Sequence, residues 1–194
     1  MYADPSGCFP VLACILGLIA LVGMGLTIGG VASDNNLMTA IGLTMVAIPA
    51  LISGGMALAC VGAWGTMAIG GVTAVAGVGT GLFASAEYQE AFTGNNWMLD
   101  AGMSEGVYNG LMLATASIAT AGTFVSLAGV GNYATAAKGW GTVIKNGKTI
   151  GPVQNMRRHF IKHVIIEKRY TLGTNIYAYS NNARFLNRDR KSVV

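Results

Sequence analysis

Residues 1–137 contain no lysine or arginine, and all 12 basic residues of the chain lie between Lys138 and Lys191. The first part carries only Asp4, Asp34, Glu87, Glu90, Asp100 and Glu105, a net charge of −6. The second part sets Glu167 and Asp189 against the twelve bases, a net charge of +10. A water-soluble domain carries about 25% charged residues. Here the whole chain has 10%, with 53% hydrophobic residues. The long first part therefore has too little charge for an ordinary soluble surface. Its 137 residues point instead to helices whose solvent is lipid.

Hydropathy divides this part into spans. Residues 8–30 carry no charge, a run long enough to cross a bilayer. Ser33-Asp34-Asn35-Asn36 is a polar turn. Residues 35–86 are again uncharged, too long for one span and suited to two, near 37–60 and 64–84. Gly62-Ala63-Trp64-Gly65 is the expected reversal, its tryptophan suited to the membrane interface. Pro49 is expected to kink the second span. Residues 85–110 are acidic and contain Tyr88, Trp97 and Tyr108, which predicts a loop with a short interfacial helix. A fourth, weakly apolar run covers 110–131.

The chain has 28 glycines. In lipid, small residues at four-residue spacing let helix backbones touch. Gly25 with Gly29, Gly70 with Ala74, and Gly77 with Gly81 have that spacing and suggest self-association or packing within the chain. The glycines around Gly77, Gly79 and Gly81 lack the GxGxxG or GK[ST] pattern of a phosphate loop. Cys8, Cys14 and Cys60 sit in apolar runs at no metal-binding spacing, which predicts small buried hydrophobes. The first apolar run lacks a charged leader and is too long for an ordinary signal peptide, so cleavage is not expected.

Basic residues remain on the cytoplasmic side of a membrane. Lys138, Lys145 and Lys148 follow the fourth span directly, so the tail is expected in the cytoplasm. Four spans then return residue 1 to the same side and place the acidic 85–110 stretch opposite. The reading is a multi-pass membrane protein, mainly α, with about four glycine-rich transmembrane-like helices and a small basic tail, α+β or partly disordered. The competing soluble reading has the chain enclosed inside a larger protein until release.

The tail, 138–194, has ordinary soluble composition. Lys145-Asn146-Gly147-Lys148 reads as a hairpin turn. Residues 154–170 read as a helix or helix–strand boundary, and 174–190 as a second short helix. His159 and His163, the chain's two histidines, would share one helical face. They do not make a zinc-protease site: that needs HExxH, the sequence here is HFIKH, its Lys162 cannot act as a base, and further ligands are scarce. No metal or cofactor is expected. Arg157, Arg158, Lys168 and Arg169, interleaved with aromatics such as Tyr177, could bind either RNA phosphates or anionic lipid headgroups. A histidine beside cations is also what metal-free RNA cleavage needs, making His159, His163 and Lys162 the candidate catalytic residues. Whether the tail is an enzyme stays open at this stage, against a plain membrane anchor or an inactive remnant.

Two stretches carry a resemblance. Tyr2-Ala3-Asp4-Pro5-Ser6-Gly7 resembles the DPxG signature that closes the repeat core of Rhs-type polymorphic toxins. The segment from Gly79 to Thr123, including AEYQEAFTGNNWMLDAGMSEGVYNGLMLATASIATAGT, is similar to the hydrophobic pretoxin region that follows that signature. Together they cover roughly residues 1–130. The resemblance implies three parts: a core-end remnant at 1–7, a membrane-inserting translocation region at 8–137, and a C-terminal effector at 138–194. It implies delivery into a target-cell membrane as a piece of a larger secreted toxin, and an immunity protein as partner. HFIKH, a following tyrosine and the ARFL stretch also look like small ribonuclease toxins of the barnase–EndoU–colicin–RelE group. Two alternatives from other classes remain: a non-catalytic small multi-pass membrane protein, and a pore former.

Overall fold

The computed structural model describes residues 8–138, 142–145, 148–152 and 161–167. It is mainly helical. Four long helices, α1 (Cys8–Ala32), α2 (Asn36–Leu58), α3 (Trp64–Thr93) and α5 (Glu105–Lys138), are joined by short connections, and a single turn, α4 (Trp97–Asp100), lies in the last of them. All four long helices are apolar and long enough to cross a membrane.

The turns are set by local chemistry. Asp34 adopts a left-handed backbone with φ 52°. Asn35 then caps α2, its side-chain oxygen accepting from the Met38 N–H at 3.0 Å. Gly62, at φ 89°, turns the chain from α2 into α3. Gly94 ends α3 in the left-handed region, φ 76°, and its N–H donates to the Glu90 carbonyl at 2.8 Å. Such a conformation favours glycine. Asn96 caps α4 by accepting from the N–H groups of Met98 and Leu99.

Neighbouring helices run antiparallel. Gly54 faces Gly70 and Ala74, while Ala50 faces Gly77, so α2 descends as α3 rises. Between α3 and α5, Thr66, Thr73 and Gly79 lie against Gly129, Gly122 and Thr115. Helix α1 packs on α2 and α5, and α2 also meets α5 across the bundle. The Ser33–Asn35 turn and the 94–104 connection therefore share one end of the bundle. The other end holds the 59–63 connection, the start of α1 and the end of α5.

Burial is inverted relative to a soluble protein. Apart from Leu16, Leu43, Val46, Met98, Met112, Leu127, Val130 and a few aromatic side chains, the interior is built largely of alanine, glycine and hydroxyl residues, including Thr27, Thr39, Ser53, Thr73, Thr80, Thr123 and Ser126. Most of these hydroxyls bond back to a carbonyl three or four residues earlier, as Thr80 does to Ala76 at 2.8 Å and Thr123 to Ala119 at 2.8 Å. Large side chains face outward: Leu18 is 62% exposed, Val72 60% and Val75 73%. Water would penalise that surface, whereas lipid tails would not, and close packing of small residues is how helices associate in lipid.

Several expected boundaries move. The second span ends at Leu58 rather than 60, and its helix runs through Pro49, which is fully buried. The third helix does not stop at 84 but continues to Thr93, and the fourth begins at Glu105 rather than 110. Most of the expected 85–110 loop is thus helix, leaving 94–104 as the connection, with α4 as its one turn. The acids and aromatics that made this stretch look like a loop project from helix ends. At 30 residues α3 is about 45 Å long, well beyond the roughly 30 Å of a hydrocarbon core.

In the tail, β1 (Thr142–Lys145) and β2 (Lys148–Pro152) pair antiparallel, with Lys145 opposite Lys148. Asn146 and Gly147, the centre of the expected hairpin turn, lie outside the described residues. Residues 161–166 form one π-helical turn.

Candidate functional site

The polar centre among the described residues lies where α3, α4 and α5 meet. Glu87, 5% exposed, projects from the last turns of α3. Tyr108, 2% exposed, projects from the first turn of α5 and donates its hydroxyl to Glu87 Oε1 at 2.8 Å. The Tyr108 ring is held edge-on against Phe83, centroids 5.2 Å apart and planes at 71°. One turn beyond Glu87, Glu90 Oε2 accepts from the Asn96 side-chain amide at 2.8 Å. Asn96 thus ties the connection to α3 with its amide nitrogen while capping α4 with its oxygen. Tyr88 stacks on Phe92, planes 7° apart, and its hydroxyl meets Thr44 Oγ1 of α2 at 3.5 Å.

This cluster closes the acidic end of the bundle. Asp34, Asp100 and Glu105 lie exposed at the same end, and no lysine, arginine or histidine occurs anywhere in residues 1–137. Glu87 is held by a neutral donor rather than a cation. The arrangement can latch the α3–α5 hairpin and fix an all-acidic cap. Among the described residues no three His, Cys, Asp or Glu side chains converge to hold a metal.

The sequence located Glu87 and Tyr108 only as loop residues and missed their pairing. Helical phasing through 85–93 and 105–110 was the available signal: it places Phe83, Glu87 and Glu90 on one face. The glycine pairs fare unequally. Gly70 and Ala74 do meet Gly54, and Gly77 meets Ala50, but Gly81 makes only ordinary contact and a side chain on Gly25 would find open space. The close approaches between α1 and α2 use Gly23, Gly30 and Gly42 instead. Cys60 is buried as expected, with its thiol 3.4 Å from the Met56 carbonyl. Cys14 is not a core residue: it lies exposed on the outer face of α1.

Of the proposed tail residues, Lys162 and His163 fall within the π-helical turn Ile161–Ile166. Arg157, Arg158, His159, Lys168, Arg169 and Tyr177 lie outside the described residues. No family model, curated protein or solved structure matches this chain.

Proposed function

We propose that residues 8–137 are a membrane-inserting translocation module that carries the basic segment 138–194 as its effector, in the manner of the pretoxin tip of an Rhs-type polymorphic toxin. The observation that supports this most is the inverted burial. Four helices of spanning length expose Leu18, Val72 and Val75 and keep glycine, alanine and threonine inside. Close packing of small residues in the interior is how helices associate in lipid.

The effector reading rests on the tail's charge and on HFIKH: His159 and His163 as general acid and base, Lys162 stabilising charge on a scissile phosphate, and Arg157, Arg158, Lys168, Arg169 and Tyr177 binding RNA. The immunity partner follows from the toxin resemblance. A pore is the second reading. Leu43, Val46 and Met112 fill the interior of one bundle, so a pore would have to form between copies.

The test is inducible expression of the full chain in bacteria, followed by alkaline extraction of membranes, a growth curve and inspection of total RNA. Membrane retention with growth arrest and RNA cleavage, both lost in His159→Ala or His163→Ala, supports the module with an active effector. Arrest by residues 1–137 alone supports the pore. Retention without arrest leaves a non-catalytic membrane protein, and release by alkali removes the membrane reading altogether.

A further inference from the structure

The antiparallel bundle turns a partition of charge along the chain into a partition along an axis. Asp34 sits in the α1–α2 turn; Glu87 and Glu90 lie at the end of α3; Asp100 lies in α4; Glu105 opens α5. These five acids occupy one end. Helix α5, about 51 Å long over its 34 residues, leaves the other end at Lys138, and the segment of net charge +10 follows from there. No base in residues 1–137 offsets the acids. The groups around the most buried of them, Glu87, are Tyr108 from α5, Glu90 from its own helix and Asp34 from the α1–α2 turn, so none is cationic.

A charge that crosses a polarised membrane gains or loses energy in proportion to its sign and to the potential. With the tail on the negative side, its basic residues move down the potential and the five acids stay where they are. In the opposite orientation the acids must cross against the potential and the bases gain nothing. Both ends of the bundle therefore favour the same orientation.

We propose that the membrane potential, negative on the receiving side, drives the basic tail across the bilayer while the acidic end of the bundle holds the entry side. This rests on the translocation reading above and names its energy source. The coupling needs no ligand, only charges of opposite sign at opposite ends of helices that span the hydrocarbon.

The experiment uses the full chain, with a C-terminal epitope, added to vesicles of phosphatidylethanolamine and phosphatidylglycerol. Potassium gradients with valinomycin set the interior negative, neutral or positive. Alkali-resistant flotation reports helix insertion, and protection of the epitope from added protease reports tail crossing. An interior-negative potential should raise the rate of protection roughly tenfold or more over no potential, and interior-positive should suppress it. The variant R157Q/R158Q/K168Q/R169Q should show a weaker dependence. Helices that insert with tail protection equal at every potential, or with no protection at any, overturn the inference and leave the membrane reading standing. Helices that fail to insert at any potential overturn both.

Discussion

Gly54 of α2 and Gly70 of α3 face each other so closely that a Cβ added to either would lie 2.8 Å from the other's carbonyl oxygen. Backbone therefore packs on backbone here, with no room for a side chain between. Gly54→Ala or Gly70→Ala should separate the helices and destabilise the bundle by about 1–3 kcal/mol, the usual cost of overpacking. Gly55, one residue away with nothing near it, is the control: Gly55→Ala should be neutral or slightly stabilising. Unfolding of the purified protein in mixed micelles of dodecyl sulfate measures each difference.

The Glu87–Tyr108 bond joins α3 to α5 through two residues 21 apart in sequence. Tyr108→Phe removes the donor and leaves a buried carboxylate without it, which should cost about 1–3 kcal/mol. Glu87→Ala in the same background should cost less than it does alone, because the shared bond is already lost. A double-mutant cycle on the same unfolding signal gives the coupling, and strict additivity would remove the latch.

Thr73 and Ser126 form a hydroxyl pair between α3 and α5, at 3.1 Å. Thr73 also bonds its own helix at the Ile69 carbonyl, 2.8 Å away. The cross-helix part is therefore small. Thr73→Val should cost about 0.6 kcal/mol, and in any case under about 2 kcal/mol. A larger loss would indicate a polar role for this contact that packing does not explain.

If the tail is the effector, arrest of growth by the full chain should disappear in both His159→Ala and His163→Ala while membrane retention stays unchanged. General acid–base groups typically contribute about 10²–10⁴-fold to rate, so RNA cleavage should fall by at least that lower figure. Northern analysis of total RNA from induced cells separates this from a loss of expression.

Much of the bundle was legible because hydropathy and charge speak directly to it. The uncharged runs located four helices, and Ser33-Asp34-Asn35-Asn36 and Gly62 marked two turns at their observed places. What was not legible was the continuation of helix into polar sequence. Residues 85–93 carry Glu87, Tyr88 and Glu90, and their polarity masked a helical phase that a span-length argument stops reading at 84. Helix contacts were also underdetermined. Spacing alone cannot separate Gly70, which meets Gly54, from Gly25, which meets open space, because the deciding factor is which face turns inward. The latch escaped for the same reason: a glutamate and a tyrosine in different helices have no mutual signal in a linear chain. The proposed tail site was read from residue types alone, since charge and aromatic content identify a class of surface without fixing a constellation.

The central claim is that the outward Leu, Ile and Val side chains face lipid, and one measurement addresses it directly. A nitroxide spin label is placed at Val75, by Val75→Cys in a chain lacking the three native cysteines, reconstituted into bilayers, with a second label at Thr80 in the interior. The relaxation of each label by oxygen, which concentrates in hydrocarbon, is compared with its relaxation by a water-soluble nickel complex. The account predicts high oxygen and low nickel accessibility at Val75, and low accessibility to both at Thr80. Strong nickel accessibility at Val75 would place that face in water and contradict the membrane-embedded bundle.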